Sequence, residues 1–382
     1  MPEKVFTAGR DLRALTDTLR AKHKVVQNEF GEWVLLHYQD VVAAAKDDRT
    51  FSSGVSRFLQ IPNGLDGDEH TVYRELIDKY LTAQALEPHL HKFKKIARDT
   101  VAEQLNKNNT DAVHDLGAVF AVRAQCAWLG WPQPLEPKLL QWMQDNHAAT
   151  RSGDTAQTEQ IAKRFDHMLE QAFAYAREQA QQTGQRSVTA QLDNDEIKGR
   201  PLKEAEKVSI LRNWTAGDLG SMALCIGVLM AYLAQQQLKD SAYLEQLQQY
   251  SDGQLEQWID EVIRLDNPFI SNRRISTCPT QIAGIDLPKG AVVRLNWISA
   301  NRDEAVFGAE QFCPAQHAEH NIVYGVGRHI CPGRLLATAQ LRLFMQAVLE
   351  QVKQVQLISD RPFVRAQSPT GGYASVPVVL QA

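Results

Sequence analysis

The residues best spaced for chemistry lie near the C-terminus of this 382-residue chain, in VYGVGRHICPGRLLATAQLRLFMQAVLE, Val323 to Glu350. A single cysteine, Cys331, stands between a turn carrying Gly325 and Gly327 and an amphipathic run that begins just after Gly333. Three uses of the thiol compete. It could be a buried structural group, the usual state of a free cysteine. It could be a nucleophile activated by His329, or a thiolate ligand for a metal. Glycines let backbone approach something large and flat, and amides at a helix N-terminus favour a thiolate over a thiol. A nucleophile would want a base and an orienting partner, and none stands nearby in the sequence.

A thiolate with close backbone on one side suits haem iron, although the residues alone leave all three uses open. Other segments carry residues of interest. DEVIRLDNP, Asp260 to Pro268, places Glu261 and Arg264 at i, i+3 on one helical face, with Pro268 as a stop. Taken alone, such a pair is usually a solvated one. DGDEHTVYRELIDKYLT, Asp66 to Thr82, places His70 and Arg74 at i, i+4, again a surface pair when read in isolation. LRNWTAGDLGSMALCIGVLM, Leu211 to Met230, reads as one long buried helix with Gly217, Asp218, Gly220 and Ser221 among apolar neighbours. Glycine in a helix costs about 1 kcal/mol relative to alanine. Close packing would justify it, and so would room for a ligand.

The elements that must position these groups are mostly helical. Only short runs suit strands: EWVLLH (Glu32 to His37), AVVRLNWI (Ala291 to Ile298) and ASVPVVL (Ala374 to Leu380). Two polar stretches interrupt the helices: Gln181 to Lys207, which reads as a surface connection with a short helix start, and the glutamine-rich Ala234 to Gln257, which reads as a solvated pair of helices. Neither has the bias of an interdomain linker, and no repeat is visible. The expectation is a single domain, residues 1–382, mainly α with minor β.

Composition narrows the function further. A chain with 44% hydrophobic residues can bury a large core. A net charge of −4 lacks a basic footprint, which argues against nucleic acid as a partner. The five cysteines, Cys126, Cys225, Cys278, Cys313 and Cys331, form no CxxC pair and suit a reducing cytoplasm. MPEKVFTAGRDLRALTDTLR has no apolar core of a signal peptide, and the longest apolar run, Met222 to Ala234, is short for a membrane span. A cytoplasmic protein with no membrane partner is expected.

Tyr324, Gly327, His329, Cys331 and Gly333 fall at the spacing of the haem-binding loop of the cytochrome P450 family, and the sequence resembles that family from Phe51 onward. The resemblance implies the cytochrome P450 fold, a triangular helical domain with small sheets, and haem b with Cys331 as its proximal thiolate. Tyr324 stands where the family usually has phenylalanine. Glu261 and Arg264 match the family's structural pair. FCPAQH, Phe312 to His317, puts Gln316 where the third partner's arginine is often found, with His317 as the substitute. His70, Arg74, Arg274 and His329 match propionate contacts, with Arg273 the neighbouring alternative to Arg274.

The distal helix departs from the family pattern. With Ala216 and Gly217 aligned to its first two positions, Leu219 stands where the acid belongs and Gly220 where the first threonine does. Asp218 and Ser221 are the candidates to relay protons. By family position, Asn213, Ala216, Gly217, Phe269, Ile270 and Tyr373 could face the substrate, though each is also compatible with core packing.

The resemblance thus implies a monooxygenase that activates O2 at a Cys-ligated iron to hydroxylate or O-dealkylate a small apolar or aromatic substrate, with an alkoxy-aromatic suggested by likeness to one bacterial branch. The chain runs to Ala382 soon after its last strand, so electrons are expected from a separate ferredoxin or flavodoxin with its reductase. Two alternatives share the haem: a peroxygenase driven by H2O2, and a non-enzymatic haem-thiolate gas sensor.

Overall fold

The computed structural model describes residues 3–5, 7, 10–152, 155–308, 312–368 and 370–382. The helices that bear on the site are α1 (Gly67–Asp78), α2 (Ala83–Ala102), α3 (Val119–Leu129), α4 (Glu136–Ser152), α5 (Thr155–Thr183), α6 (Glu204–Arg212), α7 (Asp218–Lys239), α8 (Asp252–Leu265) and α9 (Arg334–Gln351). α9 packs along α2, and α7 packs on α3 and on the π-helical segment Ala112–Ala118.

The run read as one helix from Leu211 to Met230 is divided. α6 ends at Arg212, a π-helical turn spans Asn213–Gly217, and α7 follows. Such a turn adds a residue per hydrogen-bonded ring and re-aims the side chains beyond it. The composite run 204–239 is long and apolar enough to cross a membrane by length and composition, yet most of its most apolar window, 61%, is buried inside the protein. That is the pattern of a core helix.

Close approach explains a different glycine from those singled out in the sequence. A Cβ on Gly227 would lie 2.5 Å from Val113 Cγ2, and one on Gly117 would lie 2.5 Å from the carbonyl oxygen of Ala223, whereas one on Gly217 would meet nothing within 4 Å. Gly117→Ala is therefore expected to cost about 1–3 kcal/mol, because backbone must move to admit the methyl group. Gly217→Ala meets no obstruction and should raise stability by up to about 1 kcal/mol. Urea unfolding of the two variants checks the contrast.

The main sheet uses β1 (Lys4–Val5), β2 (Val25–Asn28), β3 (Trp33–Leu35), β4 (Phe51–Ser52), β5 (Ser271–Ser276) and β6 (Val292–Asn296). Their order is β1-β2-β3-β6-β5-β4. β5 and β6 run antiparallel with Arg274 opposite Val293, and Val293 is also opposite Trp33 of the parallel neighbour β3. The strand expected to reach Ile298 stops at Asn296, whose side chain accepts from the Ser299 amide and caps the short helix Trp297–Ala300. Of the two polar stretches, the first holds a helix, Val188–Asp193, and a two-stranded hairpin pairing Glu196–Ile197 with Arg200–Pro201. The second holds the end of α7, the helix Tyr243–Gln248 and the start of α8.

Candidate functional site

Between α7, α9, β5 and the loop before α9 lies a cavity of about 310 Å³. Cys331 forms part of its wall. The loop around it is closed by a hydrogen bond from the Cys331 amide to the Tyr324 carbonyl at 2.9 Å, and the Gly333 amide donates to the cysteine sulfur. Gly333 is the N-cap of α9, so the sulfur sits at a helix N-terminus. Burial, with the Asp218 charge as the second cause, still pushes the thiol up to about 12. A thiolate is therefore favoured here only with a cation held against the sulfur.

The loop glycines divide their duties. Gly325 and Gly327 both have positive φ, +74° and +78°, which glycine adopts without strain. Gly325 lines the cavity, but Gly327 does not. A Cβ on Gly327 would lie 2.9 Å from the carbonyl oxygen of Ala45, so this residue lets the loop press on the helix Tyr38–Lys46. That corrects its reading as a cofactor contact. Tyr324 is half-buried; its hydroxyl lies 3.3 Å from Thr338 Oγ1, and Arg334 stands over its ring.

The opposite wall comes from the π turn and the start of α7. Gly217, Asp218, Ser221 and Met222 line it, and Cys225 follows one turn later on the same face. Ser221 donates to the Gly217 carbonyl at 3.2 Å. Asp218 opens into the cavity from deep within the protein, and desolvation there pushes its carboxyl up to about 7. Cys225 was not anticipated as a cavity residue. Its spacing from Asp218, Ser221 and Met222 carried the signal, but only once the helical phase beyond the π turn was known.

At the edge of the cavity, Arg274 and His329 supply hydrogen-bond donors. The period-two alternation of β5 decides between the adjacent arginines: Asn272 and Arg274 share the cavity face, and Arg273 turns away toward Glu32 at 3.8 Å. Arg274 is buried, and its Nη1 donates to the Arg273 carbonyl at 2.9 Å. His329 Nε2 lies 3.0 Å from Ser53 Oγ and 3.4 Å from Asp66 Oδ1. Burial and the neighbouring His70 and Arg274 hold His329 down at about 4, so its contact with Asp66 at neutral pH is a hydrogen bond and not an ion pair. The His70 ring lies behind it, tilted, with centroids 4.3 Å apart, and His70 Nδ1 is a buried atom with no hydrogen-bond partner among the described residues.

These features fit the edge of a haem. A buried guanidinium, two histidines depressed by burial and then by positive neighbours, and an orphaned imidazole nitrogen are a set that carboxylates would complete, as a metal cation would complete Cys331. Arg74 departs from that role. Its Nε pairs with Asp78 at 2.7 Å and its Nη1 donates to the Ile330 carbonyl at 2.6 Å, so it braces the residue before Cys331 instead of lining the cavity.

Glu261 and Arg264 form a bidentate pair at 2.7 and 2.9 Å, both almost fully buried. Arg264 Nη1 also reaches the Asn301 carbonyl at 2.5 Å. The third partner is His317, whose Nδ1 lies 2.7 Å from Glu261 Oε1, and Gln316 is exposed. The Cys313 amide donates to the same oxygen at 3.0 Å.

Of the proposed substrate contacts, Asn213, Gly217 and Phe269 line the cavity. Asn213 does so while donating to the Ile61 carbonyl, which ties the loop before α1 to the π turn. Ala216, Ile270 and Tyr373 do not. Ala216, in the π turn, is partly buried against the main core. Ile270 joins an apolar cluster with Val34, Leu36 and Ile298. Tyr373 meets Phe363 edge to face and lies under Arg365. Leu81, at the end of the Asp66–Thr82 stretch, and Ala121 and Gln125, from α3, which carries no motif, also reach the cavity.

A family model described as Cytochrome P450 matches residues 253–363. The chain is 24% identical over 373 residues to a cyclomarin C epoxidase of Salinispora arenicola, covering 93% of this chain and 92% of that protein. It is 25% identical over 386 residues to a steroid C26-monooxygenase of Mycolicibacterium smegmatis, covering 98% and 94%. Among solved structures, cytochrome P450 CYP109Q5 from Chondromyces apiculatus superposes with a TM-score of 0.84 at 20% identity, covering 100% and 99% of the two chains. A mutant of P450 EryK in complex with erythromycin B superposes at 0.81 and 21% identity, covering 97% and 96%.

Proposed function

The chain belongs to the cytochrome P450 family, and we propose that it is a haem-dependent monooxygenase acting on a small apolar or aromatic molecule. The observation that carries this reading is a single cavity with Cys331 in one wall, Asp218 in the opposite wall and Arg274 with His329 at its edge. Haem b held there supplies the O2-activating centre. Cys331 is its thiolate ligand, stabilised by the Gly333 amide and the N-terminus of α9. Arg274 and His329 hold its propionates, with His70 behind them.

On the distal side, Asp218 holds a proton near neutral pH and Ser221 offers a hydroxyl one turn away, so together they pass protons toward the reacting oxygen. Leu81, Ala121, Met222 and Phe269 give the substrate an apolar surface and exclude water. A methoxy- or other alkoxy-substituted aromatic ring suits such walls, and hydroxylation at its alkoxy carbon releases a phenol and an aldehyde. Electrons come from a ferredoxin or flavodoxin with its reductase. The described cysteines are all free, which supports work in a reducing cytoplasm.

The testing experiment has two readings from one preparation. A strongly red-shifted Soret band of the reduced, CO-bound protein supports the thiolate. Product formation coupled to NAD(P)H use supports monooxygenase activity, whereas turnover far faster with hydrogen peroxide would replace it with a peroxygenase, and gas binding without coupled product would leave a sensor.

The raised pKa of Asp218 sets a direction for pH. A proton-holding carboxyl at about 7 is protonated below that pH and charged above it, so the yield of product per NAD(P)H is expected to fall as pH rises through about 7. Asp218→Asn should lower the yield and flatten the profile. The same shift, from an ordinary 3.8, withdraws stability as pH rises toward 7, because burial disfavours the charged form. A profile in Asp218→Asn identical to that of the native protein would remove Asp218 from proton transfer.

A further inference from the structure

A chain of aromatic rings leads out of the cavity from the π turn. Trp214, in the π turn, lines the cavity and is otherwise buried. Its ring centroid lies 5.4 Å from that of Tyr80, edge to face, and 5.0 Å from that of Trp128. Tyr80, just past the end of α1, donates its hydroxyl to Asp195 Oδ2 at 2.6 Å. Asp195 Oδ1 accepts from Lys79 Nζ at 2.5 Å, and Lys79 is half exposed. Two rings in contact and one carboxylate therefore span from the cavity wall to the surface.

The two branches at Trp214 differ in what they do with a proton. Trp128 is almost fully buried, and its Nε1–H has no acceptor among the described residues. Removing an electron there would strand a positive charge in apolar surroundings, which is costly. Tyr80 has an acceptor in place. The Lys79 ammonium stands 4.9 Å over the Tyr80 ring and opposes any positive charge on it, so Tyr80 gives up an electron only as its proton leaves. The carboxylate of Asp195 is the base that takes it.

We propose that Tyr80, acting through Trp214, is an internal one-electron donor to a peroxide-derived oxidant formed in the cavity when no substrate is bound. This rests on the haem-thiolate reading above. In the step, the Tyr80 O–H bond breaks, its proton passes to Asp195 Oδ2, and one electron passes through the Trp214 ring to the oxidant, which is reduced by one electron. A neutral tyrosyl radical remains. A small thiolate at the surface beside Lys79 restores it by giving up one electron while the proton held on Asp195 returns to the Tyr80 oxygen, so the O–H bond reforms, Asp195 is again a carboxylate and the thiolate becomes a thiyl radical. The function is protective: oxidising equivalents that find no substrate leave the cavity instead of destroying the cofactor.

The Tyr80–Asp195 bond also ties the end of α1 to the segment before the 196–201 hairpin, and the test separates that structural role from electron transfer. Ferric holoprotein, first shown to give the thiolate CO spectrum, is mixed with hydrogen peroxide in the absence of substrate and frozen for electron paramagnetic resonance. A tyrosyl signal is expected in the native protein, absent from Tyr80→Phe and weakened in Asp195→Asn, with haem bleaching several-fold faster in both variants and the CO spectrum unchanged. A merely structural bond would lower the melting temperature of both variants and leave radical yield and bleaching as they were. An undiminished radical in Tyr80→Phe, or no protein radical in native enzyme with a normal thiolate spectrum, overturns the proposal and leaves the proposed function standing. A native protein without the thiolate spectrum would instead withdraw the haem reading first.

Discussion

Replacing Cys331 with serine is expected to give a folded protein whose reduced, CO-bound Soret band no longer shows the thiolate shift and whose monooxygenase turnover is lost. The substitution keeps size and backbone, and the fold's stake in this residue is mainly its amide, which bonds to the Tyr324 carbonyl whatever the side chain. Melting temperature should therefore change little while the spectrum changes completely. The control follows from the cavity itself. Among the described cysteines only Cys225 also lines it, and its thiol is likewise pushed up to about 12 by burial. If Cys331→Ser kept the shifted band, Cys225 would become the ligand candidate and the proximal side would have been assigned to the wrong wall. Cys225→Ser should leave the band in place.

Arg264→Ala is expected to produce the opposite pattern, a loss of the folded state with no direct effect on chemistry. It leaves the Glu261 carboxylate buried with its bidentate partner removed, and it strips the Asn301 carbonyl of its donor. Breaking a buried pair from one side costs about 3–5 kcal/mol, a large part of the roughly 5–15 kcal/mol that holds a typical protein folded. Arg264→Lys should recover little, because one ammonium cannot make both bonds to Glu261 and the bond to Asn301 at once. Urea unfolding with haem content measured in parallel checks this. A change below about 1 kcal/mol, the range of an exposed pair, would contradict the burial of the site.

Legibility followed the range of each interaction. The Cys331 loop is local: its turns need Gly325 and Gly327, its helix begins beside Gly333, and all lie within ten residues of the cysteine. The Glu261–Arg264 pair is local too, since i, i+3 on a helix places the groups together. His317 as the third partner was named from family position and not from local spacing, and Arg74 as a brace for Ile330 was not read at all, because each contact depends on where a segment distant in sequence comes to rest. Position alone could not tell Arg274 from Arg273, though strand alternation did once β5 was in place.

Ala216, Ile270 and Tyr373 show the limit of carrying positions along a chain. The π turn at Asn213–Gly217 shifts helical phase just where the cavity begins, and no composition rule distinguishes it from a continuous helix. By itself the sequence determined the helical class, the thiol at a glycine-bounded helix start and the ion pair on α8, because those rest on local periodicity and spacing. Tertiary structure alone decided which side chains face the cavity and that Trp214, Tyr80 and Asp195 come into contact, because those depend on the packing of segments far apart in the sequence, 115 residues in the case of Tyr80 and Asp195.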